Sequence, residues 1–273
     1  MALFKPEKIK KSEAPLLLHP PLVEAIFELR WELKTDPETG RMRDPSYPMM
    51  YGRLYERLKK DFPFVEDLPS NQAHPEATPF IPRHRLRKEK NGYPLLQVGP
   101  GILTVNDVKD GYSWHSYKVL ILRLVECIIE LFPEETPLNF VKCEMRYVNA
   151  IRFDLSRESP LSFLAEKLHT KIELDPAISI LNKLNERPNA VALNLAYALE
   201  KPIGNLALQM QLGQVEGKPA YILQSLVQSH GELVPAELES FMGWLEDAHE
   251  VSLNCFHTLC KGTLMEKFMG SDG

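Results

Sequence analysis

Recognised marks of catalysis, export or membrane insertion are missing from this 273-residue sequence. There is no Gly-x-Ser-x-Gly elbow to present a serine nucleophile and no dinucleotide fingerprint. Gly99-Pro100-Gly101 lacks the later Gly and Lys of a phosphate loop and reads as a hairpin turn. Four cysteines (Cys127, Cys143, Cys255 and Cys260) are too few for a disulfide framework. The spacing of Cys255 and Cys260 is not the two-residue gap of a redox pair or zinc knuckle, so all four are expected to be reduced and mostly buried. The longest apolar run, Tyr117 to Phe132, is broken by Arg123, Glu126 and Glu130 and falls short of the ~20 residues that span a bilayer. Met1 to Lys11 holds no apolar core of signal-peptide length. A cytoplasmic protein that does not enter a membrane is expected. Charge is also unremarkable: 32 Lys and Arg against 37 Asp and Glu leave a net −5. A domain gripping nucleic acid mainly by its phosphates would be basic instead.

What is present is an ordinary globular composition, 44% hydrophobic and 25% charged, enough for one large or two small domains. After a loosely ordered lead over residues 1–19, Val23, Ala25, Phe27, Leu29, Trp31 and Leu33 alternate with Glu24, Glu28, Arg30 and Glu32. Such alternation predicts a strand over 22–33 with one buried and one wet face. Met50, Leu54 and Leu58 predict a short amphipathic helix over 47–60. A Pro-rich loop is expected over 63–82, then strands at 84–90, 93–98 and 102–106, with Asn91-Gly92 as a turn. Residues 112–132 read as a helix with so narrow a polar stripe that a sheet and another helix or subunit must cover it. The pattern then starts again: a strand at 140–153, a helix at 160–169, strands at 190–199, 205–214 and 219–228, and a helix from Pro235 to Lys261.

Three pairs of short matches run in the same order through both halves. Glu28-Leu29-Arg30-Trp31 matches Glu144-Met145-Arg146-Tyr147, Gly92-Tyr93-Pro94 matches Gly217-Lys218-Pro219, and Trp114 matches Trp244. Their offsets rise from 116 to 125 to 130 residues, as a duplication with loop insertions would leave them. The expected fold is therefore α+β: two tandem β-α-β-β-β-α halves, 20–138 and 139–268. They share a mostly antiparallel sheet with helices on one face.

Pro20-Pro21-Leu22-Val23-Glu24-Ala25-Ile26-Phe27-Glu28-Leu29-Arg30, Tyr112-Ser113-Trp114, Arg146-Tyr147-Val148-Asn149, and Trp244 through His249 with Phe256 span nearly the whole chain. Together they resemble a large, functionally uncharacterised prokaryotic family described as sporadically distributed. The resemblance supplies no activity. Its patchy distribution implies mobile genes such as bacterial toxin–antitoxin or anti-phage defence modules.

Three groups of residues are candidates for function. On the wet face of the matched strands lie Glu28 and Arg30, with Lys142, Glu144 and Arg146. Gln209 and Gln211 share one face of a later strand, and Gln224 and Gln228 share another. Arg presents a planar fork of donors to carboxylate or phosphate, and Gln both donates and accepts. This face is expected to bind a partner protein or a small polar ligand without catalysis, although Glu–Arg pairs also stabilise half-exposed sheets by themselves. The basic run Arg83, His84, Arg85, Arg87, Lys88 and Lys90, near Phe80 and Tyr93, suits phosphates of a nucleotide or nucleic acid. The overall acidity favours the plainer expectation of an exposed strand whose charges prevent edge-to-edge pairing. Last, Glu246, His249 and Glu250 converge at helical spacing, with His257 two turns on, and Asp247 with His249 suggests an acid–base couple for a hydrolase or nucleotide-processing enzyme. The spacing is not His-Glu-x-x-His and no nucleophile accompanies it, so neither a metal nor another cofactor is expected.

Overall fold

A computed structural model describes residues 17–72, 78–108, 111–133, 138–154, 156–184 and 188–270. The lead expected to be loose lies outside the described residues as far as residue 16.

The chain runs through β1 (Leu22–Trp31), a small hairpin of β2 (Lys34–Thr35) and β3 (Met42–Arg43), and α1 (Tyr47–Leu58). Strands β4 (Phe64–Asp67), β5 (His84–Arg87), β6 (Leu95–Gly99) and β7 (Ile102–Asp107) follow, then α2 (Trp114–Leu131). The second part has β8 (Phe140–Arg152), α3 (Pro160–Glu166), α4 (Ala177–Asn182), β9 (Ala192–Glu200), β10 (Ile203–Val215) and β11 (Lys218–His230). It ends with α5 (Leu238–Cys260) and α6 (Thr263–Met269).

Nine strands form one sheet in the order β4-β5-β6-β7-β1-β8-β11-β10-β9, and every neighbouring pair is antiparallel. The fold class is α+β. The order is mirrored about the central β1–β8 pair: β7 and β11 flank it, then β6 and β10, then β5 and β9. Glu28 sits opposite Glu144, so the first of the three matches falls at the centre of that mirror. The second does not join counterparts. Gly92-Tyr93-Pro94 leads into β6, whereas Gly217-Lys218-Pro219 opens β11, the mirror partner of β7.

One face of the sheet is apolar because alternate residues of each strand turn the same way. Phe27, Leu29 and Trp31 of β1 and Cys143, Met145 and Tyr147 of β8 pack there with Leu54 of α1, Ile121 and Ile128 of α2, and Phe241 and Leu245 of α5. A second cluster joins Ile151, Tyr221 and Leu223 to Phe163 of α3 and Phe268 of α6. Helix α2 lies between α1 and α5 and is tied to both, through Arg123–Asp61 and Arg57–Glu130 on one side and Lys118–Glu246 on the other. Asp44 anchors the start of α1. Its carboxylate accepts from Ser46 and Tyr47 backbone nitrogens, from the Trp31 indole at 2.8 Å and from Gly101 N at 3.1 Å.

Several expectations need correcting. The 63–82 segment is not all loop, since Phe64–Asp67 pairs with β5 and makes it an inner strand. The basic run therefore does not guard a sheet edge; β4 and β9 hold the edges. The segment around Pro176 contains α4. The final helix stops at Cys260, and α6 begins after Gly262, whose φ of +79° breaks the helical path.

Candidate functional site

The second face of the sheet is polar, and its charges are interlocked. Across β1 and β8, Arg30 Nε lies 2.7 Å from Glu28, and Lys142 Nζ lies 3.1 Å from Glu28 and 2.5 Å from Glu144. Arg146 completes the series by pairing with Glu144. The five side chains alternate in sign, with one surplus positive charge. Glu144 was expected to be wet but is 1% exposed. Its neighbours Lys142 and Arg146, two residues away on either side of the same strand, close over it and supply the hydrogen-bonding partners that a buried carboxyl group requires. Arg30 and Arg146 are the outermost members, with side chains 31% and 33% exposed. Arg30 faces Lys142 and Arg146 faces Ile26, so four residues, about 14 Å along the strands, separate the two arginines.

Toward β9 the same face becomes a neutral carpet. Gln209 pairs with Gln224 across β10 and β11, Gln211 with Ile222, and Gln228 with both Asn205 and Glu144. Direct partners share a face, so all four glutamines lie on one side, not two. Gln224 donates to Gln209 at 3.0 Å. Toward β5 the face is partly closed. Phe80 lies 5.2 Å beneath the Arg30 guanidinium, and the segment 81–82 rests against Gly99.

The basic run is largely occupied. Arg85 and Arg87 both bind Glu66, Arg85 also reaches Gln97, and Arg87 donates to the Gly92 carbonyl. Burial opposes the charge on Glu66, but Arg87 and Arg85 together hold its carboxyl below the usual range. Arg83 is 5% exposed and donates to Thr78. Lys88 and Lys90 remain exposed at the turn.

The α5 residues do not gather. Glu246 pairs with Lys118 and Asp247 with Lys201 at 3.2 Å, while His249 Nδ1 meets the Tyr147 hydroxyl at 2.8 Å. His257 is buried against Phe256. Among the described residues no group of three His, Cys, Asp or Glu side chains is placed to hold a metal. All four cysteines are free, and three are buried.

Sequence reasoning missed a cavity of about 170 Å³ on the helix side. It is a partly open pocket lined by Pro20 and Pro21, by Tyr147 and Asn149 of β8, Ser225 of β11, His249 and Ser252 of α5, and Tyr112. Tyr112 and Tyr147 hydroxyls are 3.0 Å apart, and Trp114 stacks on His249 with ring centres at 4.0 Å. Burial raises both phenols well above their ordinary range. One signal could have found the cavity. The segments that carry the family resemblance are far apart in sequence, yet Pro20-Pro21, Tyr112, Tyr147, Asn149, His249 and Phe256 meet here.

No protein-family model matches the chain, and no curated protein matches it. Among the described residues no helix is long and apolar enough to cross a membrane.

Proposed function

We propose that this chain is a non-catalytic recognition protein whose polar sheet face docks a partner protein through a carboxylate-bearing segment. It would act in the cytoplasm, in a bacterial defence or toxin–antitoxin module of the kind the family resemblance implies. The observation that carries the reading is the central cluster Arg30–Glu28–Lys142–Glu144–Arg146, fixed in place on a face against which no described helix buries its apolar side. Its two outer guanidiniums are held by carboxylates beneath them and keep part of each donor fork turned outward, so little side-chain entropy is lost on binding. The neighbouring glutamines suit the backbone and polar side chains of the same partner. The mirrored strand order supports descent of the two halves from one ancestral unit, which would place equivalent arginines on either side of the centre.

Mass spectrometry of what co-purifies with the native chain identifies the partner, and capture is then compared between wild type, Arg30→Ala, Arg146→Ala and the double variant. A charge-assisted contact contributes about 1.5–3 kcal/mol, so each single change should weaken capture at least tenfold and the double change abolish it. Because both arginines also brace carboxylates, each change should lower stability by about 1 kcal/mol, more than an ordinary surface truncation. Undiminished capture by a folded double variant would sink the reading.

A further inference from the structure

The central strands β1 and β8 end at different points, and a cleft opens where they part. Pro20 and Pro21 have no N–H to give to a ladder, and His19 donates its own to the Phe268 carbonyl of α6. The line of β1 therefore stops at Leu22, opposite Asn149, while β8 runs on to Arg152. Backbone groups along a strand bond to alternate sides. Ala150 N donates to Pro21 O on the β1 side, and Phe153 N donates to Pro219 O on the β11 side. Arg152 thus turns its N–H to the side that β1 has vacated, where no described residue accepts it.

The cleft has a volume of about 410 Å³, within the range of sites for small molecules. The buried part of its lining is apolar and includes Ile151, Ala220, Leu264 and Phe268. The exposed part carries Arg152, Lys218 and Lys267. These cations approach from both faces of the sheet. Arg152 sits opposite Ala220 on the polar face, with Lys218 two residues before Ala220, whereas Lys267 belongs to α6. Glu216 is the one acid that lines the cleft among the described residues, and it meets Arg152 at 3.4 Å in an exposed pair. Lys218 and Lys267 have no counter-ion among the described residues. An acidic group entering here meets a backbone N–H, a guanidinium fork and two ammoniums, while an apolar body attached to it finds apolar walls.

We infer that this cleft binds a small organic anion, a carboxylate or phosphate head on a short apolar body. The head accepts from the Arg152 N–H and is held by Lys218 and Lys267; the body covers Ile151, Leu264 and Phe268. Arg152 stands six residues, about 20 Å along β8, from Arg146. The inference is thus separate from the docking of a partner on the arginine cluster, and Arg30→Ala with Arg146→Ala should leave the binding unchanged.

The test titrates the full chain by calorimetry with hexanoate and hexyl phosphate, and with hexanol and hexylamine as uncharged and cationic comparisons. At least one anion should bind saturably at a single site, with hexanol and hexylamine at least tenfold weaker. Lys218→Ala and Lys267→Ala should each weaken that anion about three- to tenfold, and the double change should weaken it further. Neither should move the melting temperature, because neither ammonium has a described partner to lose. Glu216→Gln should tighten binding about two- to fivefold by removing the opposing charge, a gain that a merely structural role would not produce. In amide NMR spectra the Arg152 N–H should shift downfield as the anion saturates. The inference would be overturned by absence of saturable binding by either anion, or by hexanol binding as tightly as the anions. An affinity that the double lysine variant leaves undiminished, or an Arg152 amide that stays unmoved at saturation, would do the same.

Discussion

His257 shows how burial can set the acid response of a single side chain. It lies in the last turn of α5, where the helix dipole favours a cation, yet it is 6% exposed, and burial lowers its pKa from the ordinary 6.5. In the unfolded chain the imidazole takes up a proton as pH falls through about 6.5, while in the folded chain it resists until a lower pH. Its contribution to stability is therefore complete above about pH 6.5 and declines as pH falls toward the depressed folded value. Melting temperatures measured between about pH 8 and pH 5 should fall toward the acid side, and His257→Gln should flatten that slope. An equal slope in the variant would assign the acid sensitivity elsewhere. The cysteines differ in kind: burial raises the Cys260 thiol to about 12, so it is a packed side chain without nucleophilic character.

Turns and helices carry the next level of constraint, and two glycines separate its contributions. A Cβ on Gly99, at the β6–β7 turn, would lie 2.2 Å from the Ile81 carbonyl oxygen and 2.8 Å from Pro82 Cα, backbone atoms that cannot swing aside. A Cβ on Gly52, inside α1, would meet nothing within 4 Å. Gly99→Ala should cost at least about 2 kcal/mol, whereas Gly52→Ala should gain about 0.5–1 kcal/mol through helix propensity. Opposite shifts in urea midpoint would check both. Elements of this kind differ in how far the sequence discloses them. Strands β1 and β8 were legible because alternation persists through most of each strand, and α2 and α5 because their periodicity runs through several turns. Strand β4, four residues following Pro63, and α4 and α6, of six and seven residues, contain few periods, and elements as short as these register only where another signal marks them, as Pro160 opening α3 and the Asn91-Gly92 turn after β5 do. The charged cluster was readable as a set, since alternation places Glu28, Arg30, Lys142, Glu144 and Arg146 on one face. The burial of Glu144 was not, because it follows from side chains closing over it in three dimensions. The cavity was hidden for a stronger reason: its walls come from the start of the chain, the approach to α2, two strands and the last long helix.

At the scale of the molecule, the mirrored strand order does not make two independent bodies. The larger apolar cluster takes Phe27 and Leu29 from β1, Met145 from β8, Ile121 from α2 and Phe241 from α5, so residues on both sides of 138–139 share one core. Separating them would expose that core and free the long edges of β1 and β8, which now satisfy each other's backbone from Leu22–Asn149 to Trp31–Phe140. Loss of order in one half should therefore withdraw most of the stabilising contacts of the other. Two indoles report on the two sides. Trp31 packs beside Phe132 and bonds to Asp44, while Trp244 of α5 donates to Ser229 of β11. With the third tryptophan, Trp114, replaced by Phe throughout, Trp31→Phe leaves emission from Trp244 alone and Trp244→Phe leaves it from Trp31 alone. Each variant should be unfolded in urea with fluorescence and far-ultraviolet circular dichroism recorded together. Their absolute midpoints will differ, because each loses a different buried hydrogen bond, but within each variant the two signals should give one coincident transition. A fluorescence midpoint displaced from the dichroism midpoint, in opposite directions in the two variants, would mean that the halves melt separately. The shared core would then be too weak to couple them.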